Sequence, residues 1–163
     1  MKRCLLAAFL SACAAFASAQ ATDAQLRQQV NAFVDEWHED AARARPAYFD
    51  KIAKDGVYIG TDKTELWHRD EFKTWARRFF ERGSAWAFKA TRRNVYLSSD
   101  KQFIWFDELL DTQMGVCQAS GVIRKTATGF EIEHYQLSIA VPNDVAASVS
   151  KTVKDFEARP IAK

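Results

Sequence analysis

The chain has 163 residues, of which 48% are hydrophobic, 13% aromatic and 27% charged, a composition that excludes a disordered, collagen-like or linker-rich protein and makes one domain the default. Lys plus Arg number 23 against 21 Asp plus Glu, and the two extra cations, Lys2 and Arg3, fall in a leader. The remaining neutral balance offers no field for nucleic acid or an anionic membrane surface.

Residues 1 to 19 have the layout of a secretory signal: Lys2 and Arg3, an apolar stretch from Leu5 to Phe16, then Ala17-Ser18-Ala19 before Gln20. The expected product is an exported protein, periplasmic or secreted, that begins at Gln20. The apolar stretch is about 12 residues, short of the roughly 20 that a spanning helix needs, so no membrane span is expected. A second route competes, because Leu10-Ser11-Ala12-Cys13 resembles a lipobox and would put a lipid anchor on Cys13. Only about eight apolar residues precede that cut, so cleavage after Ala19 is preferred. It leaves Cys117 alone, which excludes an internal disulfide and a cysteine metal site and predicts a buried thiol.

A helix is predicted from Thr22, where Thr22 and Gln25 can form a capping box, with Leu26, Val30, Phe33, Val34, Trp37 and Ala41 on one stripe. Pro46 ends it and suits the first turn of a short second helix through Ala53, stopped by Asp55-Gly56. Val57 to Ile59 is a first strand, and Gly60 to His68 a loop. A third helix runs from about Arg69 to Arg82, with Asp70 and Glu71 in its first turn and Arg77, Arg78 and Arg82 in its last, as the helix dipole favours. Four strand-like runs follow, near 86 to 97, 102 to 113, 116 to 125 and 130 to 141. They form an antiparallel meander long enough to curl. A C-terminal helical tail from about 143, Asp144 to Glu157, carries Val145, Val149, Val153 and Phe156 on one stripe. Helices followed by a curled sheet make an α+β domain, a cone with a cavity where a small ligand can bind.

The chain resembles the SnoaL-like branch of the nuclear transport factor 2-like superfamily. The residues that carry the resemblance are Trp37-His38, Tyr48-Phe49, Gly60-Thr61-Asp62 with Glu65 and Trp67, Phe72 with Trp75, Trp105-Phe106-Asp107-Glu108, Gly121, and His134-Tyr135-Gln136-Leu137-Ser138 with Pro142-Asn143. It implies a cone-shaped, strongly curved antiparallel sheet closed by N-terminal helices, a cystatin-like α+β barrel, that forms a homodimer through the outer sheet face. The superfamily holds isomerases, cyclases, dehydratases and members without an activity, so the fold alone does not give the function.

Three residues are candidates for catalysis. His134 lies on a strand face with Ile132, Gln136 and Ser138 at spacing two, and an imidazole titrates near working pH. One of Asp107 and Glu108 is enclosed on an otherwise apolar strand; Glu108 is taken to face the cavity, with Arg92, Arg93 and Arg124 as available partners. Asp62 lies with Thr61 and Glu65 in a polar loop. The candidate ligand pocket is His38, Tyr48, Glu65, Trp67, Trp105, Gln136 and Ser138, the two tryptophans as stacking surfaces. His38-Glu39 lacks the second His of H-E-x-x-H, Ser120 lacks the first Gly of G-x-S-x-G, and there is no glycine-rich phosphate loop, so neither metal nor cofactor is expected. Three functions fit: binding of a small, mostly apolar molecule; cofactor-independent proton-transfer chemistry, isomerisation or dehydration, by a pocket carboxylate with His134 or Tyr135; and a non-catalytic dimerisation module.

Overall fold

The computed structural model describes residues 3 to 159, with side chains from residue 22 onward; the side chains of the predicted leader lie outside the described residues. Helix α1 spans Arg3–Ala42 without interruption. The capping box at Thr22 and Gln25 therefore does not start it: no Gly or Pro occurs before Pro46, and the alanines around Gln20 are strong helix formers. Its predicted stripe is the buried one, with Leu26, Val30, Val34, Trp37 and Ala41 all in the core. Among the described residues, no helix is long and apolar enough to cross a membrane.

Helix α2 is only Ala47–Asp50, and strand β1 already begins at Ile52, running to Ile59. The second helix was expected to reach Ala53. Its end is instead drawn into the sheet, because Ile52 pairs with Ile132, and the Ile132 N–H donates to the Lys51 carbonyl at 2.9 Å. Asp55-Gly56 lies inside β1, at an irregularity between Ile52 and Val57, and not at a helix stop. The expected loop Gly60 to His68 contains a short strand β2, Leu66–His68, paired antiparallel to β1. Helix α3, Arg69–Phe80, starts where predicted; the His68 N–H donates to Glu71 Oε2 at 3.0 Å, which satisfies one free helix-end donor.

The four runs are strands β3, Lys89–Leu97; β4, Phe103–Thr112; β5, Gly115–Lys125; and β6, Phe130–Ile139, joined as the predicted meander. The full sheet has the order β2-β1-β6-β5-β4-β3, and β1 runs parallel to β6, so it is mixed and not wholly antiparallel. It is curved and not closed. Bulges aid that curvature: Glu133 is an extra residue between the pairs Val122 with His134 and Ile123 with Ile132, and β3 shifts register between Ala90 and Arg92. Gly121 lies opposite Phe106, and a Cβ there would come within 2.6 Å of the Phe106 ring, so only glycine lets that ring lie across the strand.

The helices cover the concave face, α1 over β3 and α3 over β1 and β2. Rings fill much of the hollow that was expected to be open. Trp37 stacks on Tyr48 at 4.9 Å and 3°, Tyr58 on Phe72 at 4.0 Å, and Tyr135 meets the edge of Trp37 at 4.8 Å. Cys117 is fully buried. Helix α4, Asn143–Glu157, buries none of its residues, and its stripe of Val145, Val149, Val153 and Phe156 is exposed. Its far end is tied to the β1–β2 turn by Lys63 Nζ, 2.5 Å from Glu157 Oε1.

Candidate functional site

The interior holds a charged cluster on Glu108, which is 1% exposed and points to the concave side. Its Oε1 takes hydrogen bonds from His38 Nε2 at 2.8 Å and from the Tyr135 hydroxyl at 3.1 Å, and its Oε2 takes one from Arg93 Nε at 2.8 Å. Strand alternation aims Glu108 inward, the α1 stripe places His38 above it, and β3 sets Arg93 at its own register, since Arg93 pairs with Glu108. Arg93 continues the chain to Asp35 at 2.8 Å. Burial pushes the Glu108 carboxyl up, but the hydrogen bond and charge of His38 and the charge of Arg93 outweigh it and leave the group below its ordinary value. Burial first, then the charge of Glu108, raises the Tyr135 phenol. A carboxylate that already accepts three donors and is held low is a weak proton acceptor.

The same parity sends Asp107 to the convex face, where it accepts from Asn94 Nδ2 at 2.9 Å and the Tyr96 hydroxyl at 3.0 Å. His134, Gln136, Ser138 and Trp105 lie on that face too. The bulge at Glu133 is the reason for His134: it turns Ile132 inward beside Tyr135, so the spacing-two argument that linked Ile132 with His134 fails at one extra residue. His134 and Glu108 are therefore on opposite sides of the sheet. Asp62 is exposed and works locally, taking the N–H of Thr64 at 2.8 Å and its hydroxyl at 2.6 Å, which lowers its carboxyl. Tyr48 is 1% exposed, a floor residue under the rim.

Two clefts open at the rim. One, of about 690 Å³, lies between α1 and the start of β3 and is lined by Asp35, His38, Glu39, Lys89, Asp111 and Thr112 with small apolar residues and Phe88. The other, of about 140 Å³, lies between α3, the β1–β2 hairpin and the β4–β5 turn. It brings together Glu65 and Trp67 from the sequence-derived pocket with Tyr58, Phe72, Trp75, Trp86 and Phe88. Trp67 and Trp75 are 4.6 Å apart, and Trp75 and Trp86 6.4 Å. Trp75 and Trp86 are partly buried, packed against the edge of the core. Trp75 stands on the apolar stripe of α3, and Trp86 lies in an irregular segment where no periodicity separates rim from interior. Among the described residues, no group of His, Cys, Asp and Glu is arranged to hold a metal ion.

A curved six-stranded sheet whose concave side is covered by helices and packed with rings defines an NTF2-like, cystatin-like α+β domain. The family model for the SnoaL-like domain matches residues 30–142, and the chain belongs to that family. Solved structures share the fold at low identity. A protein of Novosphingobium aromaticivorans, NTF2-like with a cystatin-like fold, is 11% identical with a TM-score of 0.61, covering 81% of this chain and 93% of its own. A protein of Xanthomonas campestris, described as a candidate calcium/calmodulin dependent protein kinase II association domain, is 22% identical with a TM-score of 0.53, covering 70% and 86%. One from Catenulispora acidiphila, solved in complex with S-DNPA, is 17% identical with a TM-score of 0.56, covering 71% and 93%. No curated protein matches the chain.

Proposed function

We propose that this chain is a non-catalytic binding domain that takes a small molecule at the aromatic rim cleft. The observation that carries the reading is the contrast between two acids. Glu108 spends both oxygens on donors of the chain itself, whereas Glu65 stands beside six aromatic side chains at an opening to solvent. Proton-transfer chemistry by Glu108 with His134 or Tyr135 is the weaker reading, because His134 lies on the other side of the sheet and Tyr135 already donates to a carboxylate that is held low. A thermal-shift screen with amphiphilic, aromatic and small charged compounds, followed by tryptophan fluorescence, tests it. A compound at 100 times its Kd stabilises by about 2.7 kcal/mol, a rise of several degrees for a chain of this size. Absence of any shift and of any quenching across the screen overturns the reading.

A second reading, self-association through the convex face, is favoured by an exposed aromatic pair, Tyr96 on Trp105 at 5.9 Å and 14°. The naming of the Xanthomonas protein as an association domain points the same way.

We also propose that the protein is exported, on the leader pattern of residues 1 to 19. Mass spectrometry of the protein recovered from its host should find Gln20 as first residue; a lipid-modified Cys13 would overturn cleavage at Ala19.

A further inference from the structure

The rim cleft has mainly aromatic walls, with Thr61, Gln113, Met114 and Leu137 completing them, and a single charge. Trp67, Trp75, Trp86, Phe72 and Tyr58 line it, and Glu65 is the one charged residue among its lining. Aromatic faces are electron-rich and attract cations, most strongly where water is excluded. Trp75 already does so on the surface, where the Arg78 guanidinium lies 5.5 Å from its ring centroid.

The carboxylate of Glu65 is held in place and left without a counter-charge. Gly60 and Glu65 close the β1–β2 hairpin through a Gly60 N–H to Glu65 carbonyl bond of 2.8 Å. The Glu65 side chain folds back over Gly60: its Oε2 accepts the Asp62 N–H at 3.2 Å, and a Cβ on Gly60 would collide with that carboxylate oxygen. A larger residue at position 60 would therefore displace the Glu65 side chain. Among the described residues, no Lys, Arg or His forms an ion pair with Glu65.

From these features we infer that the cleft binds a small organic cation, a methylated ammonium group, between its aromatic walls and Glu65. The inference rests on the binding reading above and names its ligand class. An anion would meet the carboxylate head-on. A neutral molecule that filled the cleft would cover Glu65 without pairing it, at a desolvation cost that a cation offsets. The volume of about 140 Å³ is below the roughly 300–1,000 Å³ of sites that enclose drug-sized ligands, which suits a headgroup and not a polycyclic body.

Choline and its neutral isostere 3,3-dimethylbutan-1-ol share a shape and differ by the charge. Titration of the full chain with each, by calorimetry and tryptophan fluorescence, should give choline at least about tenfold tighter binding, a preference that shrinks in 0.5 M NaCl. In Glu65→Gln, which keeps an acceptor for the Asp62 N–H, the preference should vanish while the thermal midpoint holds. Free choline and phosphatidylcholine vesicles present the same group. Co-sedimentation with such vesicles, competed by choline, assigns the group to a lipid; choline binding without co-sedimentation assigns it to a free solute. Equal affinity for the two isosteres, or a choline preference that survives Glu65→Gln, overturns the cation inference and leaves the binding domain intact. Silence toward both also overturns it, and the wider screen then decides the broader reading by itself.

Discussion

Replacing Glu108 with Ala is expected to lower the unfolding free energy by about 3–5 kcal/mol, the usual cost of removing one member of a buried ion pair. The loss is large because of what remains. Arg93, whose side chain is 4% exposed, keeps its bonds to Asp35 and to the Asn31 carbonyl but loses its internal counter-charge. His38 Nε2 and the Tyr135 hydroxyl lose their shared acceptor in the same step. Urea unfolding at pH 7 measures the effect as a shift in midpoint, and a loss below about 1 kcal/mol would show that the cluster is not a stabilising unit. The pH dependence follows from the direction of the Glu108 shift. The carboxyl lies below its ordinary 4.5 in the folded chain, so its contribution is complete above that value and is lost as pH falls through the lower folded one. Glu108→Gln removes this group, and its stability should therefore fall less steeply than that of the parent below pH 4.5.

A second large effect is expected at Trp105. This residue is 46% exposed and Phe103 47%, on the convex sheet face, which no helix covers among the described residues. Along that face the register sets Tyr96, Trp105, Val122 and His134 in one row across four strands. Asp107 holds the Tyr96 hydroxyl, so the aromatic pair is fixed before any partner arrives and little side-chain freedom remains to be lost. If the chain pairs with a second copy through a two-fold axis, each side contributes the same row, and any substitution enters twice. Trp105→Asp should raise the dimer dissociation constant by at least about 30-fold, on the order of 2 kcal/mol. Sedimentation velocity over a concentration series reads this directly. A parent chain that is monomeric at high concentration, or a variant that dimerises equally well, would refute association through this face.

Legibility varied with how local the governing interaction is. Helix α3 could be read because its acids, arginines and apolar stripe all lie within its own 12 residues. The stripe of α1 and the four long strands were equally local. The start of β1 was not, because Ile52 and Ala53 continue a helical pattern and are recruited by a strand about eighty residues further on. Alternation along β4 separates Asp107 from Glu108 but does not say which of them faces inward, and it does not single out Arg93 among Arg92, Arg93 and Arg124; both follow only from the packing of α1 over β3 and the pairing of β3 with β4. Alternation failed on β6 because a single bulged residue, which no turn former announces, reverses the side to which His134 points. The filling of the cone could not be read either: Trp37, Tyr48, Tyr58 and Tyr135 come from four separate elements, and their stacking depends on curvature that the sequence only implies.

The pairing of β1 with β6 also bears on how the molecule is made. During synthesis, β1 can acquire β2 at once, but its other neighbour is the last strand to leave the ribosome. Until then Ile52 and Tyr58, buried in the finished molecule, have no covering layer from that side. Contacts between residues so distant in sequence slow assembly and prolong the time in which apolar surface is open to wrong partners. A nascent chain truncated before residue 130 would carry most of the residues of the SnoaL-like fold and still lack the strand that joins its two halves, which makes β6 the keystone of the molecule and its absence a recipe for aggregation.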